Sequence, residues 1–139
     1  MINFQNVSKN YYNASNHAAL VDVNFKIVPK EFISIVGRSG AGKSTLIKLL
    51  IGEEQPSKGR VIFGHYDVGN LKPKQLPEMR RHIGVVFQDF KLLPTKNAYE
   101  NVAFALEVAG RPQREIDDLA EEALDLVDLA DKADNFVHE

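Results

Sequence analysis

The sequence predicts an α/β fold, with mixed strands and helices over residues 1–95 and helices over 96–139. Three observations predict it. A short β-branched run, Phe32-Ile33-Ser34-Ile35-Val36, leads into a glycine-bearing loop, Gly37 to Gly42, and then into an apolar helical stretch, Ser44 to Ile51. Leu20 to Ile27 largely alternates apolar and polar residues, the period of a half-buried strand. Beyond residue 96 the apolar period lengthens to that of an amphipathic helix.

In chain order, Ile2 to Phe4 and Leu20 to Ile27 read as short strands, with a polar loop, Asn13 to His17, between them and Pro29-Lys30 as punctuation after them. In the second strand Leu20, Val21, Val23, Phe25 and Ile27 largely alternate with Asp22, Asn24 and Lys26. Phe32 to Val36 reads as a buried strand of the parallel kind. Ser44 to Ile51 is a helix stopped by Gly52. Arg60 to Phe63 is a strand, Leu76 to Arg81 a short helix near Pro77, and Ile83 to Phe87 a strand ending at Gln88-Asp89. Asn97 with Glu100 three residues on forms a capping box that opens a helix to Ala109, closed by Gly110. A second helix covers Gln113 to Ala130. Its apolar stripe is Ile116, Leu119, Ala120, Ala123, Leu124 and Val127, and its other face is Asp and Glu. The last nine residues carry no regular pattern. No internal repeat or low-complexity tract interrupts the chain.

Composition narrows the function classes. The chain has 139 residues, 44% hydrophobic and 26% charged, with a net charge of −2, which suits one ordinary domain or a piece of a larger one. No apolar run approaches the ~20 residues of a membrane helix. Met1-Ile2-Asn3-Phe4 lacks the basic-then-apolar opening of a signal peptide. With no cysteine there is no disulfide framework, thiolate zinc site or cysteine nucleophile, and the four scattered histidines offer no metal site. The small net charge hides an asymmetry: residues 1–114 carry 16 Lys/Arg and 9 Asp/Glu, residues 115–139 carry 1 and 10. The basic residues are dispersed and no aromatic residues interleave with them, so a nucleic-acid partner is not expected. The acidic tail is expected to form the wet face of a helix.

Gly37-Arg38-Ser39-Gly40-Ala41-Gly42-Lys43-Ser44 matches the phosphate-binding pattern G-x-x-x-x-G-K-[ST], and it sits where the mechanism needs it, between an expected strand and an expected helix. Glycines let the backbone curl and turn successive N–H groups inward, and the helix start adds about half a positive elementary charge. Such a nest suits a polyphosphate. Lys43 is expected to reach the β- and γ-phosphates, Ser44 to offer its hydroxyl oxygen to Mg²⁺, and Thr45 with its neighbouring amides to contact the α- and β-phosphates. The glycine spacing does not produce G-x-G-x-x-G, so a dinucleotide fold is not indicated.

The form Gly37-x-Ser39-Gly40-x-Gly42-Lys43-Ser44-Thr45 resembles the phosphate loop of ABC-transporter ATPase subunits, which implies the P-loop NTPase fold of an ABC-type nucleotide-binding domain and a MgATP cofactor. Val7-Ser8-Lys9-Asn10-Tyr11 resembles that family's segment whose aromatic residue stacks on adenine; Tyr11 supplies the flat face, with Tyr12 as the adjacent competitor. Val85-Val86-Phe87-Gln88-Asp89 resembles the glutamine loop, in which the resemblance assigns Gln88 to Mg²⁺ and water, the amide oxygen being a hard, neutral ligand. Gly84 to Pro94, then Tyr99-Glu100-Asn101-Val102-Ala103, is similar to the cell-division branch of the family, and the similarity covers essentially the whole chain. It implies ATP-driven control of cell-wall hydrolases through an integral-membrane partner (FtsX-like), a homodimer in the complete protein, and a cytoplasmic location on the inner face of the membrane. The lipoprotein-release and macrolide-export ATPases are the confusable relatives, and a non-hydrolysing nucleotide-dependent binding module is the alternative of another class. Phe90, Leu92, Leu93 and Pro94 match the family positions that dock the membrane subunit, the alternative being that they bury into the helical part. Lys30 stands where the family usually has Gly.

The family's later motifs, a Leu-Ser-Gly-Gly helix start, an apolar strand ending Asp-Glu and a switch histidine, do not occur in these residues. The expectation is an N-terminal part of one ABC-type domain, with an incomplete sheet and no catalytic residue of its own. Phosphate affinity would then persist without efficient hydrolysis.

Overall fold

The computed structural model describes residues 1–11 and 17–139. Tyr12 and most of the expected polar loop lie outside the described residues. Two compact units result, Met1–Gly84 and Val85–Glu139.

The first unit is a four-stranded antiparallel sheet with helices packed on it. In chain order it contains β1 (Ile2–Tyr11), β2 (His17–Ile27), α1 (Lys43–Leu50), β3 (Lys58–Phe63), β4 (Tyr66–Asp67), a 3₁₀ turn (Val68–Asn70) and α2 (Leu76–Arg80). The sheet order is β2-β1-β3-β4. Phe4, Val7 and Leu20 from β1 and β2, Leu46 and Leu49 from α1, Val61 from β3, Val68 and Met79 form its buried core. Phe4 and Phe25 face each other across β1 and β2, their rings stacked with centroids 4.5 Å apart.

β1 runs well past the expected Ile2 to Phe4 because an irregularity conceals the alternation. Phe4 and Val7 are both buried although three residues apart; the register shifts between them, and Asn6 there has φ 52°. β2 makes the matching slip. Leu20 is buried, Val21 is exposed, and Val23 faces inward again, with Asp22 between them at φ 48°. Asn and Asp tolerate this left-handed conformation best among non-glycine residues. The Asn6 amide Nδ2 donates to Asp22 Oδ1 at 3.0 Å, and the Asn6 N–H donates to Asn24 Oδ1 at 2.8 Å.

Phe32 to Val36, the expected phosphate-loop strand, does not form one. Among the described residues no strand pairs with it, and Phe32 and Val36 are 94% and 86% exposed. A strand exists only with a hydrogen-bonded neighbour, and β1 already has neighbours on both sides. Ile83 to Phe87 likewise forms no strand. The observed sheet is therefore wholly antiparallel rather than parallel.

Val28-Pro29-Lys30-Glu31 is a turn in which the Glu31 N–H donates to the Val28 carbonyl at 3.3 Å. Pro sits second and Lys30 third, at φ 68°, the arrangement that ordinarily calls for glycine in the third place. The departure from the family at Lys30 thus falls on a left-handed residue. Lys30→Gly is expected to stabilise the first unit by up to about 1 kcal/mol, because the left-handed penalty of ~1–2 kcal/mol is partly offset by glycine's greater entropy loss. A lower urea midpoint for the variant would refute this.

The second unit pairs α3 (Ala98–Val108) with α4 (Gln113–Asp125), followed by a 3₁₀ turn, Ala130–Lys132. The expected capping box is present: the Glu100 N–H donates to Asn97 Oδ1 at 2.8 Å, and the Asn97 N–H donates to Glu100 Oε2 at 3.0 Å. The next two N–H groups, of Ala98 and Tyr99, donate to the Asn135 and Ala133 carbonyls, each at 2.9 Å. The C-terminal segment thereby satisfies two donors that the helix itself cannot. Tyr99 Oη donates to Asp117 Oδ1 at 2.6 Å, and this bond to a carboxylate holds the phenol above its ordinary pKa. On α4, Ile116, Ala120 and Leu124 are buried and the acidic face is exposed, as expected.

α4 stops earlier than Ala130. The Leu129 N–H returns to the Leu124 carbonyl at 2.9 Å and the Asp128 N–H to that of Asp125 at 3.0 Å, with Asp128 at φ 57°. This is the same closure that Gly110 makes on α3 and Gly52 on α1, built here on an aspartate. Val127 consequently falls beyond the helix, and Ala123, within it, is exposed rather than part of the buried stripe.

Candidate functional site

The phosphate loop is built where α1 starts against β2. Gly42 is the cap of α1, at φ 86° and ψ 5°. A Cβ there would lie 2.5 Å from the Ala19 carbonyl oxygen and 2.8 Å from Leu20 Cδ2. Only glycine lets the loop approach the β2 backbone this closely. The Ala41 N–H donates to the Arg38 carbonyl at 3.1 Å, which folds the preceding residues into a turn. Gly40 is also left-handed, at φ 79°, with open space on the side a Cβ would take. Gly37, Arg38, Ser39, Gly40 and Ala41 are all exposed.

Lys43, the first residue of α1, folds back over the loop. Its Nζ donates to the Gly37 carbonyl at 2.8 Å and the Arg38 carbonyl at 2.9 Å. Two of three ammonium donors thus hold the loop closed. α1 carries no acidic residue in its first turn and no side-chain cap. An ammonium beside the positive end of a helix, with no carboxylate in that turn, is an arrangement that an anion stabilises. Ser44 is exposed in the first turn, whereas Thr45 is buried beneath it. Ser44 can therefore offer its hydroxyl outward, whereas Thr45 has only its main-chain N–H to offer.

Ser44 and Gln88, the residues expected at Mg²⁺, each carry a neutral oxygen donor of the kind that suits a hard cation; Ser44 lies in the first unit and Gln88 in the second. Among the described residues no cluster of three or more His, Asp or Glu could hold a metal ion alone. The exposed Ser44 hydroxyl suits a magnesium ion whose shell is completed by phosphate oxygens and water, as is usual for that ion.

Tyr11 ends β1 in the same unit. Asn10 pairs with Ala18 and Lys9 with Leu20, so Tyr11 stands beside the stretch of β2 that Gly42 touches. The first unit therefore brings Tyr11 and the loop Gly37 to Thr45 to one end of the β1–β2 pair. Gln88 lies in the second unit, exposed in a turn. Just beyond it Phe90 and Lys91 both have positive φ, 52° and 54°, an uncommon conformation for such side chains. Phe90 is 70% exposed; Leu92 and Pro94 are also exposed and Leu93 is half-buried. Asp89 pairs with Lys91 Nζ at 2.6 Å, and that hydrogen bond holds its carboxyl below the usual range.

Two residues without an expected role prove well placed. Lys9 lies under Tyr11, and its signal was the i, i+2 spacing that puts both on one strand face. Asn101 is the hub of the segment after Gln88. Its Oδ1 accepts from the Leu93 N–H at 2.8 Å, and its Nδ2 donates to the carbonyls of Leu93, Lys96 and Asn97 at 3.2, 3.1 and 2.9 Å. Asn101→Ala is expected to cost about 1–3 kcal/mol, the penalty for part-buried backbone groups left without partners. An unchanged unfolding midpoint would remove Asn101 from this role.

Comparison with known proteins follows the same lines. A family model described as ABC transporter matches residues 20–139. The cell division ATP-binding protein FtsE of Bacillus subtilis (strain 168) is 49% identical over 136 residues, covering 98% of this chain and 59% of that protein. FtsE of Escherichia coli (strain K12) is 45% identical over 136 residues, covering 98% and 60%. FtsE of Mycobacterium tuberculosis (strain ATCC 25618 / H37Rv) is 42% identical over 139 residues, covering 100% and 60%. The dimeric, post-hydrolysis structure of the ATP-binding cassette MJ0796 bound to ADP and Pi superposes with a TM-score of 0.90 at 33% identity, covering 99% of this chain and 62% of that one. The chain thus spans about 60% of the length of these curated relatives.

Proposed function

This chain belongs to the ABC transporter family, and from that premise we propose that Gly37 to Thr45 bind the polyphosphate of MgATP. The observation that carries the proposal is the closed loop itself. Gly42 is pressed against the β2 backbone, and Lys43 Nζ bridges the Gly37 and Arg38 carbonyls at the start of α1. The first-turn N–H groups of α1 have no intrahelical partner, so they are donors for phosphate oxygens. Tyr11 stacks on the base, and Ser44 with Gln88 supplies oxygen to the magnesium ion that accompanies the phosphates. That ion neutralises phosphate charge when bound.

In this reading the chain is the N-terminal part of one ABC-type domain. It contains neither a Leu-Ser-Gly-Gly segment nor an Asp-Glu pair, so these residues bind nucleotide without efficient turnover. The complete protein, a homodimer, hydrolyses ATP and couples it to an FtsX-like integral-membrane subunit that controls cell-wall hydrolases in division. The FtsE names of the relatives at 42–49% identity support this over an exporter. Among the described residues no helix is long and apolar enough to cross a membrane. Attachment to the inner face of the membrane then comes through the partner, docked near Phe90, Leu92, Leu93 and Pro94.

Hydrogen exchange tests the site. MgATP should slow exchange at the amides of Gly40 to Thr45, by about tenfold or more at ligand concentrations well above the dissociation constant. Protection confined to other segments would overturn the assignment.

A further inference from the structure

Tyr11 does not stand alone on β1. Lys9, two residues before it on the same strand face, places its Nζ 5.0 Å from the centre of the Tyr11 ring. That ammonium is itself pinned. It pairs with Glu54 Oε2 at 2.7 Å and donates to the Gln55 carbonyl at 2.9 Å. Lys9 and Glu54 are only 12% and 29% exposed, so the pair is sheltered from solvent and from salt. Glu54 is tied in turn to α1, since its N–H donates to the Lys48 carbonyl at 3.2 Å. A chain of contacts thus runs from α1, whose first residues close the phosphate loop, through Glu54 and Lys9 to the Tyr11 ring.

We propose that Lys9 is a positioning residue that sets the plane of the Tyr11 ring, and its separation from the phosphate loop, for stacking by a nucleotide base. The inference rests on the reading of Tyr11 as the base-stacking residue. A cation under one face of an aromatic ring attracts that face and leaves the other to a second flat partner. It also draws electron density from the ring, which favours stacking against an electron-rich purine. An unpinned tyrosine at a strand end would have to give up rotamer freedom on binding. One already held by Lys9 loses less.

The test uses the full chain and two ligands, ATP and inorganic tripolyphosphate, which shares the phosphates but lacks a base. Tyr11→Ala should weaken ATP about tenfold and leave tripolyphosphate unchanged. Lys9→Met keeps the aliphatic stem and removes the cation; it should weaken ATP about fivefold, again without effect on tripolyphosphate. Lys9→Arg should restore most of the ATP affinity, and Lys9→Met in the Tyr11→Ala background should cost nothing further. Tripolyphosphate affinity reports that each variant is folded around its loop. If Tyr11→Ala weakens ATP but Lys9→Met does not, the positioning role is overturned while the base-stacking reading stands. Equal weakening of both ligands by Lys9→Met also overturns it, as a general structural defect. If Tyr11→Ala leaves ATP binding unchanged, the base-stacking reading fails and this inference with it.

Discussion

Lys43→Ala is expected to lower nucleotide affinity by about 100-fold or more, below detection in an ordinary titration. The size follows from the number of bonds at stake. Hydrogen bonds to charged groups contribute ~1.5–3 kcal/mol each, and 1.4 kcal/mol is a factor of ten, so loss of the one remaining ammonium–phosphate bond together with the two that hold the loop closed suffices. The helix start alone contributes only ~0.3–1 kcal/mol to anion binding, too little to compensate. Lys43→Arg should not rescue, because a planar fork cannot take the place of a compact ammonium folded over the Gly37 and Arg38 carbonyls. Titration with a fluorescent ATP analogue reads the loss, and circular dichroism reads folding. An alanine variant that is folded and binds like the parent would show that the phosphates lie elsewhere.

Gly42→Ala is expected to damage both stability and binding. Its φ of 86° costs a residue with a Cβ ~1–2 kcal/mol. The new methyl would sit 2.5 Å from the Ala19 carbonyl oxygen. That neighbour is main chain near the start of β2, between the paired residues Ala18 and Leu20, and cannot swing aside like a side-chain tip. The combined destabilisation is about 3 kcal/mol unless the loop moves off β2, and in that case the nest opens and affinity falls instead. Gly40→Ala is the control. Its φ is 79° but no atom lies within 4 Å of the added carbon, so it should cost only the conformational share, about 1 kcal/mol. Urea unfolding of the two variants, with ATP titration of each, separates these outcomes. Equal effects at both positions would mean that the approach of Gly42 to β2 is unimportant.

Much of the molecule follows from rules that act over four or five residues. The capping box at Asn97 and Glu100 is such a case, and so are the helix closures at Gly52 and Gly110. The loop from Gly37 to Gly42 and the lysine after it are also local, since curl and helix start adjoin in the chain. Aspartate hides the same closure at Asp128, because many residue patterns around an aspartate are compatible with a continuing helix. The irregular pairing at Asn6 and Asp22 is hidden for a related reason. Each slip looks like a break in alternation until the partner strand shows that both break together.

Pairing at a distance was legible only in part. Phe32 to Val36 has every local mark of a buried strand and yet has no partner among the described residues, since strand formation depends on a neighbour that no local pattern specifies. The docking of Lys9 under Tyr11 depends on Glu54 and Gln55, over forty positions away, arriving at the end of β1 through the packing of α1.

By itself the order of residues determined the phosphate loop, the helix starts and the family, because these depend on side-chain chemistry and backbone freedom within one or two turns of chain. Only the tertiary structure decided which strands pair, where α4 stops, that Gly42 must touch the Ala19 backbone, and that the sheltered Lys9 ammonium lies 5.0 Å from the centre of the Tyr11 ring. Each of those outcomes is a competition between distant groups for the same space or hydrogen bond, and it is settled only when the chain has folded enough to bring the competitors together.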